Sequence, residues 1–183
     1  MSVTILEADL VSSLADALQF ISHHHAPDYI AGLSAAYARE ESPAARNAMG
    51  QILVNARMAA LGRRPMCQDT GTAQIFMRIG LDVRIRSARS LQEIADEAVR
   101  RAWKAEANPL RASVVQDPLF SRKNTGDNTP ALVHVELVAG NTLHVHVAAK
   151  GGGSENKARF AALEPSDSVE DWVVRTVEGS TRV

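Results

Sequence analysis

Apolar residues recur every four positions near the start of the chain, at Leu6, Leu10, Leu14 and Leu18, with Val11 and Ile21 widening the stripe. That spacing predicts an amphipathic helix with one buried face. Pro27 can open a second helix at its first position, where a missing N–H is no loss, with Ile30, Leu33 and Tyr37 turned inward. Ser42-Pro43 then supplies a cap and a first-turn proline. Met49, Ile52, Leu53 and Ala56 carry the next apolar face, and Gly62 is a natural stop. Residues 1–62 read as a helical subregion.

Beyond Cys67 the period changes to two. Ile75, Met77 and Ile79 alternate with Gln74, Phe76 and Arg78, and Val83 and Ile85 alternate with Arg84 and Arg86, which predicts strands. Ser90-Leu91-Gln92-Glu93 is a capping box opening a helix with Leu91, Ile94, Ala98, Val99 and Ala102 on one face, ended by Asn108-Pro109. Leu132 to Ala149 reads as a hairpin. A three-residue loop, Ala139-Gly140-Asn141, sets Val135 opposite Val145 and His134 opposite His146, whereas a two-residue turn would oppose Glu136 and Val145. Ser166 to about Val177 predicts a last helix with Val169, Trp172, Val173 and Thr176 on its stripe. The fold class is α+β: N-terminal helices packed on a mixed, partly antiparallel sheet with further helices. The expected organisation is a single domain over 1–183, with residues 63–183 bearing the site.

Composition narrows the function. Hydrophobic residues make up 45% and charged residues 22%, as in ordinary globular proteins. A net charge of -1 gives no electrostatic reason for nucleic acid, and 4% aromatics leaves little for base stacking. No apolar run approaches the roughly 20 residues that a membrane helix needs, and the first residues lack the basic region of a secretory signal. One cysteine cannot close an internal disulfide, which fits a reducing compartment and makes cytoplasm the expectation.

Three polar, glycine-containing segments concentrate the candidate chemistry. Pro65-Met66-Cys67-Gln68-Asp69-Thr70-Gly71-Thr72 holds the lone thiol. Asn124 to Pro130 is dense in turn formers and alone is weak evidence. Lys150-Gly151-Gly152-Gly153-Ser154-Glu155-Asn156-Lys157 follows a strand, and its bare glycines let backbone N–H groups cradle an anion, although its spacing is not that of a Walker loop. His134, Glu136, His144 and His146 share one predicted strand face; we read it as a polar face in preference to a metal site. The run His23-His24-His25 reads as a solvated helix end.

These segments, with Leu110-Arg111-Ala112-Ser113 and Glu164-Pro165-Ser166-Asp167-Ser168-Val169 running on to Trp172-Val173, resemble class I fumarate hydratases and the oxygen-sensitive L-tartrate dehydratases, from the Cys67 region to about Val177. The resemblance implies reversible hydration of a small dicarboxylate by an enzyme holding a [4Fe–4S] cluster through three cysteines. It implies that Cys67 is the first cluster ligand and that Gln68 and Asp69 contact substrate or orient proton transfer, with Thr70 a weaker candidate. Arg111 would bind a carboxylate, and Gly151, Gly152 and Gly153 would offer N–H groups to substrate or cluster. The family's second cysteine, in a Cys-Pro-Pro context after the last helix, does not occur before Val183. The chain is therefore expected to be the N-terminal portion of the α region, as an excised domain or a short subunit. The cluster would be absent from the chain alone, and the catalytic base would lie in the C-terminal half or β subunit that partners it. A homodimer is also expected. The rival expectation is a non-catalytic anion-binding or assembly module on the same scaffold.

Overall fold

Ala73, Ile75, Met77 and Ile79 are buried to 7% exposure or less, and the strand that carries them, β2 (Thr72–Gly80), is the centre of the fold. It runs between β6 (Leu132–Val138), which is parallel to it, and β7 (Leu143–Lys150), which is antiparallel. The computed structural model describes residues 2–152 and 158–181, in two compact units, Met1–Gly151 and Gly152–Val183.

In the first unit, α1 (Glu7–His23) and α4 (Leu91–Trp103) cover one face of this sheet. Leu10, Val11, Leu14 and Leu18 from α1 meet Ile94, Ala98, Val99 and Trp103 from α4 in one core with the inward residues of β2. The predicted capping box forms: Ser90 Oγ accepts from Glu93 N, and the Glu93 carboxylate accepts from Ser90 N at 2.8 Å. Those hydrogen bonds hold the Glu93 carboxyl below its usual pKa. One turn on, Asp96 accepts from Ala131 N at 2.8 Å and Gln92 donates to Ala131 O at 3.0 Å, so α4 fixes the start of β6.

The predicted hairpin does not form, because β2 inserts between its two arms. Val135 and Val145 lie in one row, as do His134 and His146, but through Met77 and Phe76 respectively. The connection from β6 to β7 instead clasps the end of β2: Gly80 N donates to Thr142 O, Leu81 N to Val138 O and Asp82 N to Gly140 O, each at 2.9 Å. A Cβ on Gly80 would stand 2.4 Å from Gly140 O, so only glycine fits this crossing.

Three further strands escape the sequence pattern. β1 (Val3–Leu6) precedes α1 and pairs in parallel with β3 (Val83–Arg86), so the region 1–62 is not wholly helical. β4 (Val115–Gln116) and β5 (Lys123–Asn124) form a short antiparallel pair. α2 (Pro27–Arg39) and α3 (Pro43–Gly62) start at their prolines as expected. However, Ile30, Leu33 and Tyr37 are only half-buried, since α2 packs on α3 rather than on the core. α4 stops at Trp103, short of Asn108, and Arg63 rather than Gly62 takes the left-handed residue closing α3, at φ 48°.

His23 departs from the solvated end expected of it. It is 8% exposed, its Nδ1 lies 2.6 Å from Nδ1 of His24, and His24 stacks on Phe20. Burial, then the neighbouring His24 and Arg63, hold the pKa of His23 below its usual value.

In the second unit, α5 (Val169–Thr181) begins three residues later than expected, after Ser168 Oγ accepts from Asp171 N at 3.2 Å. Before it, Glu164 and Asp167 close a turn by exchanging backbone and side-chain hydrogen bonds. Among the described residues, no helix is long and apolar enough to cross a membrane.

The two faces of β2 differ in their tolerance of change. Met77→Ala, at 1% exposure, should cost about 2–5 kcal/mol. Phe76→Ala on the open face, at 39% exposure, should cost clearly less, about 1 kcal/mol. Urea denaturation of both variants checks this; equal losses would contradict the orientation of the strand.

Candidate active site

The Cys67 loop joins α3 to β2 and is fastened at Met66, whose N–H donates to Ser22 O at 3.0 Å and whose carbonyl accepts from Asn55 Nδ2 at 2.8 Å. Beyond this anchor Cys67 and Gln68 are exposed. Asp69 is half-buried, and its Oδ1 accepts from Gly71 N at 3.0 Å, bending the chain so that Gly71 reaches φ 71°. A Cβ on Gly71 would fall 2.4 Å from the backbone of Lys150. The first and third polar segments therefore cross at bare backbone, and Gly151 sits against the Asp69 carboxylate, with Oδ2 3.2 Å from where its Cβ would be.

Asn128 ties in the second segment. It is fully buried in the left-handed region at φ 64°, which asparagine tolerates better than most residues. Its Nδ2 donates to Gly71 O at 2.8 Å, while Oδ1 accepts from Ser113 N at 2.8 Å and Val114 N at 3.2 Å. One side chain thus joins the Cys67 loop, the Arg111 segment and its own turn. Around it, Asn124 Nδ2 donates to Ala112 O at 2.8 Å and Thr125 N to Val114 O at 3.0 Å. Asp127 accepts from Thr129 N and Oγ1 and from Arg100 Nε. Burial alone would raise the Asp127 pKa, but the Thr129 hydrogen bonds and Arg100 outweigh it, leaving that carboxyl below its usual value.

The Arg111 side chain is exposed, and its backbone carbonyl accepts from Thr70 Oγ1 at 2.7 Å. Thr70 in turn accepts from Trp103 Nε1 at 3.0 Å. A cavity of about 180 Å³ adjoins these groups, with Leu18, Met66, Trp103 and Leu110 as apolar wall and Cys67, Asp69 and Thr70 on its polar side.

Of the residues singled out from sequence, Cys67, Gln68, Asp69, Arg111 and Gly151 come together in the first unit. Gly152 begins the second unit, and Gly153 to Lys157 lie outside the described residues. On the sheet, Phe76 stands between His134 and His146 and stacks on His134 at 4.7 Å, while Arg78 separates Glu136 from His144 and bonds Glu136 at 2.9 Å. Since adjacent strands are about 4.8 Å apart, the facing histidines are held roughly 10 Å apart. Among the described residues, no three His, Cys, Asp or Glu converge as a metal site. Sequence reasoning missed Asn128 and Trp103. The first was in view as one turn residue among many; the second had no local signal.

One α+β unit thus carries an exposed thiol, a half-buried carboxylate and an arginine-bearing segment on neighbouring loops. The family model described as fumarate hydratase (Fumerase) matches residues 11–181, and the chain belongs to that family. It is 32% identical over 153 residues to a Methanocaldococcus jannaschii protein provisionally named L(+)-tartrate dehydratase subunit alpha, covering 79% of this chain and 52% of that one. It is 31% identical over 134 residues to L(+)-tartrate dehydratase subunit alpha of Escherichia coli K12, covering 69% and 43%. It is 35% identical over 107 residues to the anaerobic class I fumarate hydratase of the same strain, covering 58% and 19%. The chain thus spans about half or less of the length of these curated relatives.

Removing the Asn128 amide strands two partly buried N–H groups and the Gly71 carbonyl, so Asn128→Ala should cost about 2–4 kcal/mol by chemical denaturation; a loss below about 1 kcal/mol would contradict the tie. Asp127 offers a pH test. Its folded pKa lies below the usual 3.8, so its contribution is full above that value and is lost as pH falls through the folded pKa. The melting temperature of Asp127→Asn should therefore converge on that of the unsubstituted protein as pH drops from about 5 to 2. A constant difference across that range would contradict the assignment.

Proposed function

We propose that this chain is the N-terminal part of an α-type hydro-lyase that reversibly adds water to a small dicarboxylate, with fumarate to malate the leading reaction and tartrate to oxaloacetate the next. The observation that carries the reading is the fastening of the Arg111 backbone to Thr70 at 2.7 Å, beside Gln68 and Asp69, in a chain of the fumarate hydratase family.

The reaction must take a proton from a carbon next to a carboxylate and release a hydroxyl on the neighbouring carbon. The Arg111 guanidinium grips one carboxylate through its planar fork, in the ground state and the transition state alike. The Gln68 amide donates to the substrate, and the Asp69 carboxylate, braced by Gly71 N and lying against Gly151, orients the proton transfer. The backbone N–H of Gly151, beside the Asp69 carboxylate, completes the anion's surroundings. The catalytic base belongs to the remainder of the enzyme, the C-terminal half or a β subunit, and a homodimer of the whole is in keeping with Val54, Met58 and Leu61 of α3, each more than half exposed.

The donors of this chain do not by themselves make an iron–sulfur site. Cys67 is its one cysteine and is exposed, whereas a [4Fe–4S] centre takes thiolates at most of its irons. We assign Cys67 as one ligand among several in the complete enzyme, and no step above runs through the cluster.

Two outcomes follow. The chain alone should show neither stoichiometric cluster nor fumarate turnover after anaerobic reconstitution; finding both would overturn the assignment to a partial enzyme. In the complete enzyme, assayed anaerobically with verified cluster content, Arg111→Lys should lower kcat/KM by roughly 10- to 150-fold, while Arg122→Lys and Arg159→Lys should not. Equal, small losses at all three positions would remove Arg111 from the substrate site.

A further inference from the structure

Trp103 is 2% exposed at the last turn of α4, and it holds the Arg111 segment at two points. Its backbone carbonyl accepts from Leu110 N at 3.1 Å. Its indole Nε1–H donates at 3.0 Å to Thr70 Oγ1, whose own hydrogen goes to Arg111 O at 2.7 Å. A threonine hydroxyl has one proton to give. With that proton on Arg111 O and a lone pair on the indole, Thr70 has no hydrogen left to donate to a substrate.

We infer that Thr70 and Trp103 are positioning residues that act on substrate through Arg111. The indole is the fixed end of this relay because it is packed between α1, α4 and the sheet in the main core. Thr70 is its middle link, one residue from Asp69 and two from Gln68. The relay therefore fixes the distance between the arginine for one carboxylate and the amide and carboxylate groups that handle the rest of the substrate. This restricts the site to a short dicarboxylate whose two acid groups match that spacing. The inference rests on the hydro-lyase reading for its substrate and on the geometry alone for the relay.

Thr70→Val keeps the shape and removes both hydrogen bonds, Thr70→Ser keeps both, and Trp103→Phe keeps most of the buried ring and removes the indole donor. In the complete enzyme, with fumarate as substrate, Thr70→Val should raise KM roughly 3- to 10-fold, the worth of a hydrogen bond, with kcat changed less than about twofold. Thr70→Ser should restore KM, and Trp103→Phe should fall between. Introduced into Arg111→Lys, Thr70→Val should add little, because the backbone contact it removes matters to substrate only through the arginine fork already lost. An unchanged KM in Thr70→Val, or its full effect persisting in Arg111→Lys, would overturn the relay.

A readout without turnover keeps the two readings apart. The amide resonances of Arg111 and Ala112 in the complete enzyme should move with Thr70→Val and with Trp103→Phe but not with Thr70→Ser. If the unsubstituted enzyme hydrates neither fumarate nor releases water from tartrate, the hydro-lyase reading fails and these resonances decide the relay. If turnover is present and the resonances stay fixed, the relay alone fails.

Discussion

The site depends on one buried amide. Asn128 donates to the Gly71 carbonyl and accepts from the N–H groups of Ser113 and Val114, so segments far apart in sequence share a single rigid contact. A fully buried side chain in a left-handed backbone has few alternatives: losing any partner leaves a polar group without water. Everything proposed for the site is built on that tie. It sets Gly71 beside the Lys150 backbone, Gly151 against Asp69, and Arg111 within reach of Thr70. The Cys67 loop, the Arg111 segment, the Asn128 turn and the end of β7 are thereby one structure, and the exposed groups on it, Cys67, Gln68 and the Arg111 side chain, are carried on a fixed base.

Much of the fold was legible where the signal was local. The stripe of α1, the prolines opening α2 and α3, and the capping box of α4 all rest on residues within a turn of one another, and each forms. Strand alternation reported faces correctly for β2 and β7, whereas in β6 Val133 packs on the core but Val135 and Leu137, in the same row pattern, stay exposed at the sheet edge. What alternation cannot report is the neighbour. β6 and β7 are joined by a short connection, the usual mark of a hairpin, yet β2 lies between them. β1 is four residues long and exists through its pairing with β3, far along the chain, so nothing nearby announced it.

The site shows the same division. Its segments stood out as concentrations of polar residues and glycine, and their likeness to a known family tied them together before any geometry was available. The residues that hold them were harder to find. Asn128 stood in a run of turn formers that explains itself without a distant partner. Trp103 is a core residue of α4 with no local mark in the sequence, and only the direction of its indole N–H gives it a second task. The family match over residues 11–181 agrees with the sequence likeness, and the chain spans about half or less of the length of those relatives.

That the Cys67 loop, the Arg111 segment and the Asn128 turn form one rigid base is the claim on which the rest stands, and amide hydrogen exchange tests it directly. Ser113 and Val114 lie in a segment outside regular strands and helices except at its end, so in a loose loop their N–H groups would exchange fast. If Asn128 holds them, both should be protected to the same degree as the core amides of β2 and should lose that protection in Asn128→Ala. Fast exchange of Ser113 and Val114 in the unsubstituted protein, at the rate of the exposed tip near Leu119 and Phe120, would contradict the account.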